Sequence, residues 1–275
     1  MNGCVTGSFL SRLCRSADFT PCRALFVTAH PDDEVIGAGG QFRKFDELTI
    51  VHVTDGSPGN PVFARSAGFA SAQEYAKARL DEYTKALLSA GLDRAITRRL
   101  AFTDQEVSTH LEECAGALVD ILGEVKPDAV FTHAYEGGHP DHDGVSFAVQ
   151  SANMLLSKKR KKPYPVYEFA SYHGRDGMMV TYRFIPNAHD GRVWTAHLTS
   201  GQVEVKRRMI ACYISQKEML QAFPVKLERF RKAPRYDYLN PPHQGRLFYE
   251  CFDWGMSGDR WRSLASKALH NMEIG

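Results

Sequence analysis

The chain has 275 residues, with 34 Lys and Arg against 32 Asp and Glu, 11 His and 6 Cys. This length buries a large core without a disulfide or metal staple, and a formal charge of +2 gives no global field that would recruit nucleic acid or an anionic membrane. No apolar run is long enough to span a bilayer, and the cysteines show neither a C-x-x-C pair nor zinc-ribbon spacing. The composition reads as a reduced, soluble, cytoplasmic globular protein whose partner class must be sought in local sites.

Residues 1–22 hold only a short apolar patch, too brief for a secretory signal, and read as a flexible extension. From residue 23 to 275 the pattern predicts a single α/β domain. Residues 24–29 form a continuous apolar run, as in a strand buried on both faces. A short helix over about 36–45 and a second strand over 48–54 complete a β-α-β unit that stops at the turn-rich segment 55–60. Apolar residues at spacings of three and four predict a helix over 71–90, closed by Gly91. Further along come a strand over 99–102, a helix over 111–125 stopped before Pro127, a strand over 128–132 and a helix over 144–156. Strands are predicted over 166–172 and 178–184, and a last helix over 203–222. Residues 223–275 are rich in aromatics and proline and read as irregular chain packed on the domain, not as a disordered linker. Strands alternating with helices imply a Rossmann-like, mostly parallel sheet with helices on both faces. The basic run 158–162 reads as a solvated helix end.

Two segments share one grammar: His30-Pro31-Asp32-Asp33-Glu34 after the first strand, and His139-Pro140-Asp141-His142-Asp143 shortly after the strand ending at Thr132. In an open parallel sheet the crevice outside the carboxyl ends of the strands is where ligands bind, so both segments are expected at the same edge. Proline disfavours helical backbone at the histidine before it and suits the first helical turn. Residues one and four of each motif then share a side, so that His30 and Asp33 can grip one ion. A third ligand from the second motif would leave the open position typical of a catalytic zinc, and the imidazoles favour zinc over magnesium. The competing reading, aspartates acting only as helix caps, fits one motif better than two. Gly37-Ala38-Gly39-Gly40 lacks the third glycine of a dinucleotide loop, where Phe42 stands, and neither a G-x-S-x-G elbow, a Walker loop nor an H-E-x-x-H helix is present.

Ala29-His30-Pro31-Asp32-Asp33-Glu34 together with Gly138-His139-Pro140-Asp141-His142 resembles the PIG-L/LmbE-like family of zinc-dependent N-acetylglucosaminyl de-N-acetylases. The resemblance extends over roughly residues 24–150, through Thr54-Asp55-Gly56, Arg79-x-x-Glu82 and Phe102-Thr103-Asp104-Gln105, with Tyr213-x-Ser215-Gln216 further on. It implies that His30, Asp33 and His142 hold Zn2+, that Asp32 is the general base, and that His139 is the general acid or oxyanion stabiliser. Asp141 is expected to orient His139 or His142, and Arg79 and Asp104 to contact substrate. The implied substrate is a small N-acetylated molecule, an amino sugar or its glycoside. A non-sugar N-acyl substrate, or a non-catalytic sugar-binding protein, are the alternatives. Family members acting on sugar conjugates often carry a tyrosine beside the second motif, where this chain has Gly137-Gly138. Tyr135 is then the nearest candidate, with His173 and His243 open candidates for substrate contact and His52 and His133 expected either in the core or directly behind the ligands, not as ligands.

Overall fold

The structure is a computed structural model that describes residues 9–15, 20–160, 162–186 and 191–274. In chain order the elements are α1 (Phe9–Arg15), β1 (Thr20–Thr28), α2 (Asp33–Ala38), β2 (Phe45–Pro58), α3 (Pro61–Ser66), α4 (Ala72–Ser89), β3 (Ile96–Asp104), α5 (Leu111–Val125) and β4 (Ala129–Thr132). They continue with α6 (Pro140–Arg160), β5 (Val166–Phe169), β6 (Tyr172–Arg175), β7 (Met178–Thr181), β8 (Trp194–His197), α7 (Ser200–Ala211), α8 (Lys217–Leu220), β9 (Leu227–Lys232) and α9 (Gly258–Asn271).

Seven strands form one sheet in the order β3-β2-β1-β4-β5-β9-β8. The first five are parallel, and β9 and β8 add antiparallel at the far edge. The period-two geometry of a strand sends alternate side chains to opposite faces, and here both faces are apolar. Ala24 and Phe26 of β1, Ile50 of β2 and Phe131 of β4 enter one core with α1, α2, α4 and α7. Leu25, Val27, Val51 and Val130 enter the other with α5 and α6. Each fully buried side chain of this size contributes about 1.5–3 kcal/mol, which is why uninterrupted apolar runs survive only in doubly covered strands.

The chain runs from β1 outward to β2 and β3, then returns to lay β4 on the other side of β1. The strand order therefore reverses between β1 and β4, and the loops leaving their carboxyl ends diverge around a crevice. His30 follows β1 and His139 follows β4, so topology alone delivers both motifs to that point.

Several expectations are corrected. Part of the supposedly flexible extension is a packed helix, because Leu10 and Leu13, three apart, share a buried face; residues 1–8 and 16–19 lie outside the described residues. The strand expected over 166–172 is two, β5 and β6. The helix expected over 203–222 stops at Ala211, because the following turn is drawn into tertiary hydrogen bonds. Tyr213 Oη donates to Glu34 and Ser215 N and Oγ donate to Glu82. The C-terminal segment is not irregular throughout, since it supplies β9 and α9. The latter buries Trp261, Ala265 and Ala268 against Tyr135, Phe147 and Tyr238, at the spacing of four and three that marks one helical face. Of the basic run 158–162, residue 161 lies outside the described residues. Cys14, Cys22, Cys114, Cys212 and Cys251 are free thiols, and Cys4 lies outside the described residues. No helix among the described residues is long and apolar enough to cross a membrane.

Candidate active site

The first motif closes β1 and opens α2. His30 accepts no helical geometry ahead of its proline, and Asp33 turns back as the first residue of α2, its Oδ2 taking the His30 N–H at 2.8 Å. The second motif is itself the first turn of α6, with Pro140 at its start, where its missing N–H costs nothing. The Asp33 carboxylate thereby stands between two imidazoles, 3.2 Å from His30 Nδ1 and 3.2 Å from His142 Nε2. All three residues are buried.

His142 Nε2 makes no hydrogen bond despite that approach. Burial pushes the His142 pKa down to about 4, against the pull of Asp33, so its lone pair is free near neutral pH. Burial alone would also lower His30, but Asp104, Asp141 and Asp33 outweigh it and hold its pKa well above the usual range. Burial likewise would raise Asp33 and Asp104, yet the neighbouring histidines hold both below the carboxylate range. An orphaned imidazole nitrogen, a carboxylate wedged between two rings and a proton trapped among acids are what a cation site presents to its ion: binding displaces the proton. The donor set therefore fits a divalent metal held by nitrogen and oxygen.

Asp32 occupies the position before α2 with φ +122°, a conformation that costs a non-glycine residue about 1–3 kcal/mol and clusters at functional sites. Two groups hold it there. Its N–H donates to Glu34 Oε2 at 3.1 Å, and the Arg79 guanidinium donates to its Oδ2 at 3.2 and 3.3 Å. Burial pushes the Asp32 pKa up to about 7, against Arg79 and with help from Asp33 and Glu34. His139 is brought to about 3 by burial and by His30. Its Nδ1 accepts the Asp141 N–H, which leaves Nε2 as the protonated nitrogen of the neutral ring.

A cleft of about 970 Å³ is lined by His30, Asp32, Asp33, Arg79, Asp104, His139 and His142, so seven of the eight sequence-assigned residues meet at one place. Asp141 does not line it. Its carboxylate takes the Gln105 N–H at 2.6 Å and the Val107 N–H at 3.1 Å and lies 3.3 Å from His30 Nε2, so its side chain fixes His30 and the loop after β3, while its backbone N–H holds the His139 ring. Arg79, expected at the substrate, is 3% exposed and gives its donors to Asp32 and to the Pro31 carbonyl. Tyr135, His173 and His243 do not line the cleft either: Tyr135 Oη donates to the Asn240 carbonyl within the α9 cluster.

Four contributors were not assigned from sequence. His133 stacks on His142 with ring centroids 3.9 Å apart and lies 3.4 Å from Asp33, so of its two expected places, core or behind the ligands, it takes the second. Tyr172 packs its ring 5.1 Å from His142 and lines the cleft, where it puts a tyrosine beside the second motif from a distant strand. A Cβ on Gly138 would stand 2.2 Å from the Tyr172 carbonyl, which explains why glycine occupies that place. Trp254 covers His139 at 4.7 Å and Phe252 stacks on Trp254 at 4.5 Å. Phe63, Phe69, Met179 and Ile214 add further apolar wall to the cleft, which Gln105, Gln216, Lys217 and Glu218 also line. Position at the end of β4 was a usable signal for His133; nothing local marks Trp254.

The fold and site define an α/β domain with a buried histidine-carboxylate centre at the switch point of its sheet. Residues 25–153, just under half of the chain, match the family model described as PIG-L: GlcNAc-PI de-N-acetylase. A 1D-myo-inositol 2-acetamido-2-deoxy-alpha-D-glucopyranoside deacetylase from Mycolicibacterium smegmatis is 35% identical over 142 residues, 44% of this chain and 49% of that protein. The protein of the same description from Rhodococcus erythropolis is 26% identical over 239 residues, 70% of this chain and 81% of that protein. The chain thus spans about half the length of the first of these curated relatives. Among solved structures, the A40926 pseudoaglycone deacetylase superposes with a TM-score of 0.59 at 18% identity, covering 78% of this chain and 98% of that one, a likeness of fold.

Proposed function

We propose that this protein is a zinc-dependent N-deacetylase that hydrolyses the acetamido group of an N-acetyl amino sugar glycoside. The observation that carries the reading is the convergence of both His-Pro-Asp segments on one cleft, with Asp33 between His30 and His142 and the strained Asp32 beside them. The residue match to the PIG-L model and the named relatives support the substrate class.

His30, Asp33 and His142 would hold the ion. When bound, a divalent metal acts as a Lewis acid that polarises the acyl carbonyl and acidifies water. Asp32 takes the proton of the attacking water and returns it to the departing amine. The Asp32 carboxyl, which burial raises, can both take a proton and give it back. Arg79 keeps the Asp32 carboxylate aimed while it does so. The His139 Nε2–H is placed to donate to the carbonyl oxygen as negative charge develops there, and Trp254 shields it from bulk water. Bond for bond, amide and water give amine and acetate.

The aromatic wall residues Phe63, Phe69, Phe252 and Trp254 favour a substrate whose amine-bearing ring carries an aryl or alkyl group, and the same surface keeps a non-sugar N-acyl substrate as a second reading. The test is free-amine release from a panel of methyl, octyl and aryl N-acetylglucosaminides and N-acetyl amino acids, with added zinc. Release confined to the glycosides supports the reading; release confined to the amino acids transfers it to the second, and none from any member rejects both. The Asp32→Asn variant should keep its metal and lose about 10²–10⁴ in kcat.

A further inference from the structure

We propose that Tyr213 and His52 are positioning residues for Asp32, acting through the buried side chain of Glu34. The proposal rests on the reading of Asp32 as the proton acceptor. Glu34 belongs to the first motif but does not line the cleft: its side chain turns inward under α2. There its Oε2 accepts the Asp32 N–H at 3.1 Å and lies 2.8 Å from His52 Nε2, while Oε1 accepts the Tyr213 hydroxyl at 2.9 Å. Glu34, His52 and Tyr213 are at most 1% exposed, and the His52 ring is fixed in turn by the edge of Tyr83 at 4.3 Å.

Asp32 is thus gripped at two points. Arg79 fixes the carboxylate, and Glu34 fixes the amide of the same residue, whose φ of +122° would otherwise relax and swing the carboxylate away from Asp33. A glutamate free to change rotamer could not hold that amide, because a carboxyl group this deeply buried settles wherever its donors stand. His52 on β2 and Tyr213 after α7 supply those donors from two independent elements. Tyr213 lies 60 residues beyond the end of the family match at 153, so the C-terminal half of the chain sets the geometry of a group in the N-terminal half. This also gives a reason for the break in the helix at Ala211: a continuous helix would carry Tyr213 away from Glu34.

The experiment uses the full-length, zinc-loaded protein and Tyr213→Phe, which removes one hydroxyl and keeps the ring. The expected result is a fall in kcat of about tenfold with KM and metal content unchanged, and faster hydrogen exchange of the Asp32 amide in both metal-free and loaded protein. Glu34→Gln, which keeps an acceptor for the Asp32 N–H, should recover most of the kcat lost in Glu34→Ala. Unchanged kcat and unchanged Asp32 exchange in Tyr213→Phe overturn the proposal, even if the melting temperature falls. So does loss of metal in proportion to activity, which would place the effect on Asp33. Wild-type protein inactive on every N-acyl compound defeats the deacetylase reading instead, and the amide exchange then still decides the positioning.

Discussion

Arg79 shows how burial decides between roles that a motif leaves open. Its position in α4 is compatible with a hand held out to substrate, but the guanidinium is enclosed and spans two acceptors at once, Asp32 Oδ2 and the Pro31 carbonyl. A lysine ammonium is a compact point charge and cannot reproduce that fork. Arg79→Lys should therefore lower kcat by about tenfold to a hundredfold with little change in KM; a raised KM at unchanged kcat would restore the substrate-binding role. Asp141 teaches the same lesson. Its place inside the second motif was legible, but not the direction of its carboxylate, which is set by two loop N–H groups from residues 105 and 107. Metal-ligand candidates were legible because spacing within a motif fixes a shared face. Their supports Glu34 and Tyr172 were not, because each is set by contacts with segments far apart in the chain.

Among the elements, those whose pattern is local were read correctly. The amphipathic α5 lies over Leu111–Val125 as its spacing predicts, and β1 and β4 are the apolar runs before the motifs. The last helix was misread because its end is decided by Glu34 and Glu82, not by its own residues. The loop that leads into α6 depends on contacts of the same kind. Gly138 sits against the Tyr172 carbonyl, and Asp143 Oδ1 accepts the N–H groups of residues 136 and 137 at 3.1 Å each. A methyl at Gly138 overlaps backbone that cannot step aside, so Gly138→Ala should cost about 3 kcal/mol, a drop in Tm of roughly 6–12 °C in thermal melts. An unchanged Tm would mean that β6 does not pack on this loop as described. In the same loop Glu136 lies 3.4 Å from Arg231, which also lies 2.7 Å from Glu168. Burial pushes the Glu136 pKa up from 4.5 to about 8, against Arg231. A carboxyl group raised in the folded state is fully compatible with folding below its unfolded pKa and loses stability as pH climbs through the folded value. The wild type should therefore lose stability between about pH 4.5 and pH 8. Glu136→Gln should lose less, so the Tm of the variant relative to wild type should rise across that window; a difference independent of pH would contradict the assignment.

At the scale of the whole molecule, the sheet reversal between β1 and β4 does the assembling. It brings together two motifs more than a hundred residues apart, the His30 and His139 rings standing 4.6 Å from one another. The turn that carries Phe248, Phe252 and Trp254, with Phe63 and Phe69 near α3, then adds apolar wall to the cleft that the motifs alone do not specify. The near-neutral charge of the chain fits this arrangement, in which the decisive charges are gathered at one sheet edge. The most direct measurement is a titration of chelator-treated protein with zinc while free amine released from an aryl N-acetylglucosaminide is followed, with Asp32→Asn as the blank. The account predicts no release without metal, release rising in proportion to zinc until a single ion is bound per chain, and a blank that binds zinc equally and stays inactive. Undiminished release from the metal-free protein, or full activity in the blank, would contradict it.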